Sequence, residues 1–139
     1  MGRITGIAHA AVNVEDMEKS LYFYVGVLGF EKAFELQNPS TGKPWIIYLS
    51  MGGGQFIELF YGGEEKNPWD TKNIGFDHLC FSVDDIHAIA KQIADAGQRL
   101  DAEPRKGSDA NWQCWVTDPN GIRIELMQIS PDSPQSKFP

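Results

Sequence analysis

Two histidines and two glutamates recur at matching places in this 139-residue chain, and imidazole nitrogen with carboxylate oxygen is a donor set suited to a divalent cation. Ile7-Ala8-His9-Ala10-Ala11-Val12-Asn13-Val14-Glu15-Asp16 aligns at an offset of 69 with Phe76-Asp77-His78-Leu79-Cys80-Phe81-Ser82-Val83-Asp84-Asp85. His9 falls on His78 and Asp16 on Asp85. At an offset of 67, Trp45 falls on Trp112, Tyr48 on Trp115, Gly54 on Gly121, Ile57 on Ile124, Glu58 on Glu125 and Leu59 on Leu126. The chain is therefore two copies of one unit of about sixty residues. Strand alternation places Ala8, Ala10, Val12 and Val14 opposite His9, and Leu79, Phe81 and Val83 opposite His78. Ile57 and Leu59 lie opposite Glu58, and Ile122, Ile124 and Leu126 opposite Glu125. A carboxylate so placed is partly desolvated, which costs several kcal/mol unless it is paired. Gathering His9, Glu58, His78 and Glu125 around one divalent cation removes that cost. A lone strand His is usually hydrogen-bonded and a lone strand Glu usually solvated or ion-paired. It is the duplication that raises these four above that. His87 has no counterpart in the first copy and is expected to be a solvated or capping residue.

The elements that must position these residues are the same in each copy. Thr5 to Val14 alternates and predicts a strand. Asp16 is a candidate N-cap for a helix carrying Met17, Leu21, Tyr24 and Leu28 and stopped by Gly29. In the second copy Asp85 caps, Ile86, Ile89, Ala90 and Ile93 form the apolar stripe, and Gly97 stops it. Further strands follow, the last two joined at Met51-Gly52-Gly53-Gly54 and at Asp118-Pro119-Asn120-Gly121. A phosphate-cradling loop must open a helix, whereas the triple glycine leads into the strand-like Gln55-Phe56-Ile57-Glu58-Leu59-Phe60, so it is expected to be a hairpin. The fold class is α+β: one domain over 1–139, made of βαβββ modules at 4–61 and 74–130, a linker at 62–73 and a tail at 131–139 expected to be mobile.

Composition narrows the partners. Nineteen acidic against twelve basic residues give a net charge of −7, which disfavours a nonspecific grip on nucleic acid or an anionic membrane and favours small-molecule partners. Cys80 and Cys114 are too few for a disulfide framework, lack zinc-site spacing and are expected to be reduced thiols. No secretion signal or long apolar run is seen, so a soluble cytoplasmic protein is expected.

The paired modules, the His opening each, the Glu-Leu closing each, and Asp118-Pro119-Asn120-Gly121 before Ile122-Arg123-Ile124-Glu125-Leu126 resemble the vicinal oxygen chelate superfamily over nearly the whole chain. That resemblance implies a glyoxalase-like curved mixed sheet with helices on its outer face. The superfamily spans glyoxalase I, extradiol dioxygenases, epimerases and metal-free bleomycin-binding proteins, so the fold alone does not name a reaction. The His-Glu-His-Glu order in a short chain is similar to bacterial glyoxalase I, the lactoylglutathione lyase type. It implies nickel or cobalt in preference to zinc, a homodimer, and a proton shift beside a carbonyl through an enediolate. Glu125 is the first choice of base by that resemblance and Glu58 the symmetric one. Similar enzymes carry an Arg four residues after the first His, where this chain has Asn13, which cannot replace a guanidinium at a glutathione carboxylate. Asn13 shares a face with His9 and is a candidate substrate contact. Arg123, on the face of Glu125, either anchors an anion or balances charge. Tyr48 and Trp115 either form an aromatic wall at the substrate or serve core or dimer packing. An epimerase shares the enolate logic, a dioxygenase would leave more coordination positions open than four protein ligands do, and a non-catalytic binding or antibiotic-resistance protein would normally lack the ligands.

Overall fold

The computed structural model describes residues 1–138; Pro139, the end of the expected tail, lies outside them. The chain divides into two compact units, Met1–Lys66 and Asn67–Pro139. In the first, β1 (His9–Asn13), α1 (Met17–Leu21), β2 (Glu31–Gln37), β3 (Pro44–Gly52) and β4 (Gln55–Phe60) build a four-stranded sheet in the order β1-β4-β3-β2. In the second, β5 (Leu79–Ser82), α2 (Ile86–Asp95), β6 (Ala102–Lys106), β7 (Trp112–Thr117) and β8 (Arg123–Gln128) repeat it as β5-β8-β7-β6. Each sheet is mixed, because its first strand runs parallel to its last and the other neighbours are antiparallel. The expected α+β class and the tandem βαβββ order are both present.

Local chemistry explains the boundaries. Asp16 Oδ1 accepts the Lys19 amide at 3.1 Å, and Asp85 Oδ1 accepts the amides of His87 and Ala88 at 3.0 and 2.9 Å, so both expected N-caps are made. Gly29 and Gly97 sit at φ of 84° and 79°, where a side chain would be strained, and they end the two helical segments. The first segment is not α-helical throughout. From Tyr22 to Val27 it widens into a π-turn, with the Leu28 amide bonding back to the Phe23 carbonyl at 2.9 Å. This keeps Phe23, Tyr24 and Val27 buried together.

The first strand is shorter than Thr5 to Val14. It starts at His9 because its parallel partner β4 starts only at Gln55, after the hairpin; the Phe56 amide reaches back to the Ala8 carbonyl, and Ile7 has no ladder to join. For the same reason β5 starts at Leu79, one residue beyond His78. Gly52, Gly53 and Gly54 all have positive φ and turn β3 into β4, as a hairpin and not an anion-binding helix start. The equivalent turn is held by Asp118, whose Oδ1 accepts the Asn120 and Ile122 amides at 2.8 and 2.7 Å.

One face of each sheet is core. Ile47, Leu49, Ile57 and Leu59 are at most 1% exposed in the first module, and Val116, Ile124 and Leu126 at most 2% in the second. α2 lays Ile86, Ala90 and Ile93 on that face. The segment after β8, expected to have little to pack, carries a fully buried Ser133. Asn111 Oδ1 accepts the Ser130 amide at 2.9 Å and its amide group donates to Gln135 at 3.3 Å, which ties this segment to the start of β7. No helix is long and apolar enough to cross a membrane among the described residues.

Candidate functional site

The other face of each sheet carries a histidine–glutamate pair. In the first module His9 Nδ1 lies 3.4 Å from Glu58 Oε1, and in the second His78 Nε2 lies 3.0 Å from Glu125 Oε2. Parallel pairing of first strand with last makes this possible: Ala11 is level with Glu58 and Cys80 with Glu125, which puts each His beside the Glu on the same face. Glu58 is 5% exposed and Glu125 7%, so both carboxyl groups are nearly removed from water although they face away from the core. Each is held by directional partners as well as by the imidazole.

The repeat carries the aromatic neighbours with it. Tyr48 is level with Glu58 on the antiparallel neighbour, and Trp115 is level with Glu125. Tyr48 donates its hydroxyl to Glu58, and that bond, with burial and the carboxylate charge, holds the phenol above its ordinary value so that it stays a donor. Its ring stacks on Phe34 at 4.2 Å and meets Phe56 edge-on. Trp115 meets the His78 ring edge-on at 4.7 Å and gives its indole N–H to Gln113 at 2.7 Å. Both are half-buried side chains beside a glutamate, and neither belongs to the fully buried core.

Asp77 and Trp69, which have no role in the sequence reading, join the surroundings of the second pair, Asp77 directly and Trp69 through Arg123. Asp77 Oδ1 lies 2.5 Å from His78 Nδ1 and accepts Arg123 Nη1 at 3.1 Å. These bonds, the one from His78 foremost, hold the Asp77 carboxyl below its ordinary value. Arg123 is flanked by Trp69 at 3.6 Å and Trp115 at 4.8 Å, so the expected linker 62–73 contributes Trp69 to this face. The signal for Asp77 was present where the aligned copies disagree, since Ala8 occupies the equivalent place. Asn13 ends β1 exposed on the face of His9. The His87 ring packs edge-on against Trp112 at 5.2 Å, at the first turn of α2.

The Cys80 thiol donates to Glu125 and is pushed up to about 12, by burial first and then by the Glu125 charge; burial likewise pushes the fully enclosed Cys114 up to about 11. Both cysteines are free, as the sequence leads one to expect. A raised folded value means that the native thiol keeps a proton which the unfolded chain releases above its ordinary 9.0. That contribution to stability is complete below about pH 9 and declines as pH rises toward about 11 to 12. Urea midpoints measured across this range are expected to fall, and the fully enclosed Cys114 is expected to resist iodoacetamide at neutral pH until the chain is unfolded.

Among the described residues no group of three or more His, Cys, Asp or Glu forms a metal cluster. A metal would have to be held by donors from the two His–Glu pairs, and their chemistry suits one. One imidazole nitrogen beside one nearly buried carboxylate is a donor couple for a borderline divalent ion, and both His9 with Glu58 and His78 with Glu125 are such couples.

Each of the paired βαβββ modules presents a His at or just before its first strand beside a Glu on the parallel last strand, and this duplicated arrangement defines the class of the fold. Residues 6–126 match the model of the Glyoxalase/Bleomycin resistance protein/Dioxygenase superfamily, and the chain belongs to that superfamily. It is 32% identical over 131 residues to a probable lactoylglutathione lyase of Synechocystis sp., spanning 89% of this chain and 95% of that one. It is 29% identical over 134 residues to an ethylmalonyl-CoA/methylmalonyl-CoA epimerase of Cereibacter sphaeroides, spanning 87% and 96%. The crystal structure of SMU.1112c superposes with a TM-score of 0.77 at 27% identity, covering 91% of this chain and all of that one.

Proposed function

We propose that this protein is a cytoplasmic, homodimeric, metal-dependent lyase of the glyoxalase I kind that moves a proton between carbons next to a carbonyl. The observation that carries the reading is the nearly buried glutamate beside a histidine at the same register in both modules. The lactoylglutathione lyase-named relative supports the reaction class. When held by His9, Glu58, His78 and Glu125, a divalent cation, nickel or cobalt in preference to zinc, supplies Lewis acidity at the substrate's adjacent oxygens.

The chain's own residues do the rest. Glu125 accepts the proton from one carbon and returns it to its neighbour, with Glu58 as the symmetric candidate. Tyr48 and Trp115, level with the two glutamates, wall the reacting atoms and limit water beside them. Asn13 offers an amide to the substrate but no guanidinium to clamp a carboxylate, so the thiol partner is selected differently from glutathione in enzymes with Arg at this place. That substitution, with the epimerase relative, favours a second reading in which the same bases invert a carbon next to an acyl thioester.

Elemental analysis of protein purified without chelator, followed by turnover of methylglyoxal with a panel of thiols and by epimerisation assays on acyl-CoA substrates, separates these. Bound nickel or cobalt and isomerisation of a hemithioacetal are expected. Metal with epimerisation alone selects the second reading, and neither metal nor turnover leaves a binding protein. Light scattering is expected to give a dimer.

A further inference from the structure

The two modules are not equivalent around their histidines. Ala8 and Phe56 of the first copy stand where the second has Asp77 and Arg123, so an ionic couple replaces an apolar one at both places together. In the structure that couple meets at a single oxygen: Asp77 Oδ1 is 2.5 Å from His78 Nδ1 and 3.1 Å from Arg123 Nη1. Arg123 lies in turn 3.6 Å from the Trp69 ring and 4.8 Å from the Trp115 ring, and Trp115 also meets the His78 ring. A carboxylate only accepts hydrogen bonds, so Asp77 gives Nδ1 an acceptor of its own and leaves Nε2 as the nitrogen that faces Glu125. His9 has no such partner on its Ala8 side; it approaches Glu58 through Nδ1, and its side chain is 49% exposed against 29% for His78.

We propose that Asp77 and Arg123 are positioning residues that set which nitrogen of His78 faces Glu125, making the second module the pre-set half of the site. Arg123 is committed to this contact and is therefore not the anchor of a substrate anion. The inference rests on the reading of His78 and Glu125 as metal donors, in line with the general way in which partners on the far ring nitrogen orient ligating histidines.

The experiment uses the full chain with Asp77→Ala, the near-isosteric Asp77→Asn, Arg123→Met and His87→Ala. Side-chain ¹⁵N spectra of metal-free protein are expected to show His78 protonated at Nδ1 in the parent, with that signature lost in Asp77→Ala and kept in His87→Ala. Zn²⁺ alone, measured by competition with a chromophoric chelator, is expected to bind about 10- to 100-fold more weakly to Asp77→Ala. Asp77→Asn and Arg123→Met are expected to fall between that variant and the parent, and His87→Ala to match the parent. If the parent itself binds neither Zn²⁺ nor Ni²⁺ in this competition, the metal reading fails, and the ¹⁵N spectra alone still decide the orientation of His78. An unchanged Nδ1 signature in folded Asp77→Ala overturns the proposal. So does an Arg123→Met variant with raised KM, unchanged kcat and parental Zn²⁺ affinity, because that is the behaviour of a substrate anchor.

Discussion

Glu125→Gln and Glu58→Gln are each expected to lose bound metal or to lower turnover by about 10²- to 10⁴-fold, while His87→Ala leaves both unchanged. Gln keeps the shape of the side chain and removes its charge. At Glu125 the replacement leaves His78 Nε2 facing a neutral amide, and at Glu58 it does the same to His9 and to the hydroxyl of Tyr48. A neutral amide is a poor ligand for a divalent ion beside imidazole and cannot serve as a base in the proton shift, so either role predicts the same direction. Both carboxyl groups are nearly buried, so solvent is poorly placed to substitute for them. His87 belongs to neither donor pair; its ring rests on Trp112, and only its backbone amide takes part in the Asp85 cap of α2. Metal content per chain and steady-state kinetics measure the outcome. Equal behaviour of all three variants would refute the assignment of the donors.

Ile124→Ala is expected to cost about 2–5 kcal/mol of stability, the range for emptying a buried aliphatic position. Ile124 is fully buried in β8, between Arg123 and Glu125 on the opposite face, and is level with Leu79 on β5 and Val116 on β7. Its side chain therefore sets how the central strand of this sheet seats on the core, and through that strand where Glu125 points. A lower urea midpoint with an unchanged slope is expected, since the exposed area of the unfolded chain hardly alters. Lys32→Ala, on the exposed strand β2, is the control and is expected to stay within about 0.5 kcal/mol.

The residues that could be read in one dimension are those with a period or a partner copy. Strand alternation sorted Ile57 and Leu59 from Glu58, and the offset between copies paired His9 with His78, because side-chain direction follows from backbone geometry alone. The caps at Asp16 and Asp85 were equally legible, since a capping bond spans only a few residues. Where strands begin was not. β1 starts at His9 because of where β4 starts, and that pairing joins residues far apart in the chain.

The Asp77–Arg123 contact belongs to the same category. Its partners are 46 residues apart and leave no period, and Trp69 looked like linker because nothing local says that an arginine will be stacked on it. Composition, duplication and face assignment were already contained in the order of the amino acids, since they depend on local geometry and on counting. Which nitrogen of each histidine meets its glutamate, and which arginine is already engaged, depended on strands brought side by side, where distances of about 3 Å arise between groups that the chain itself keeps apart.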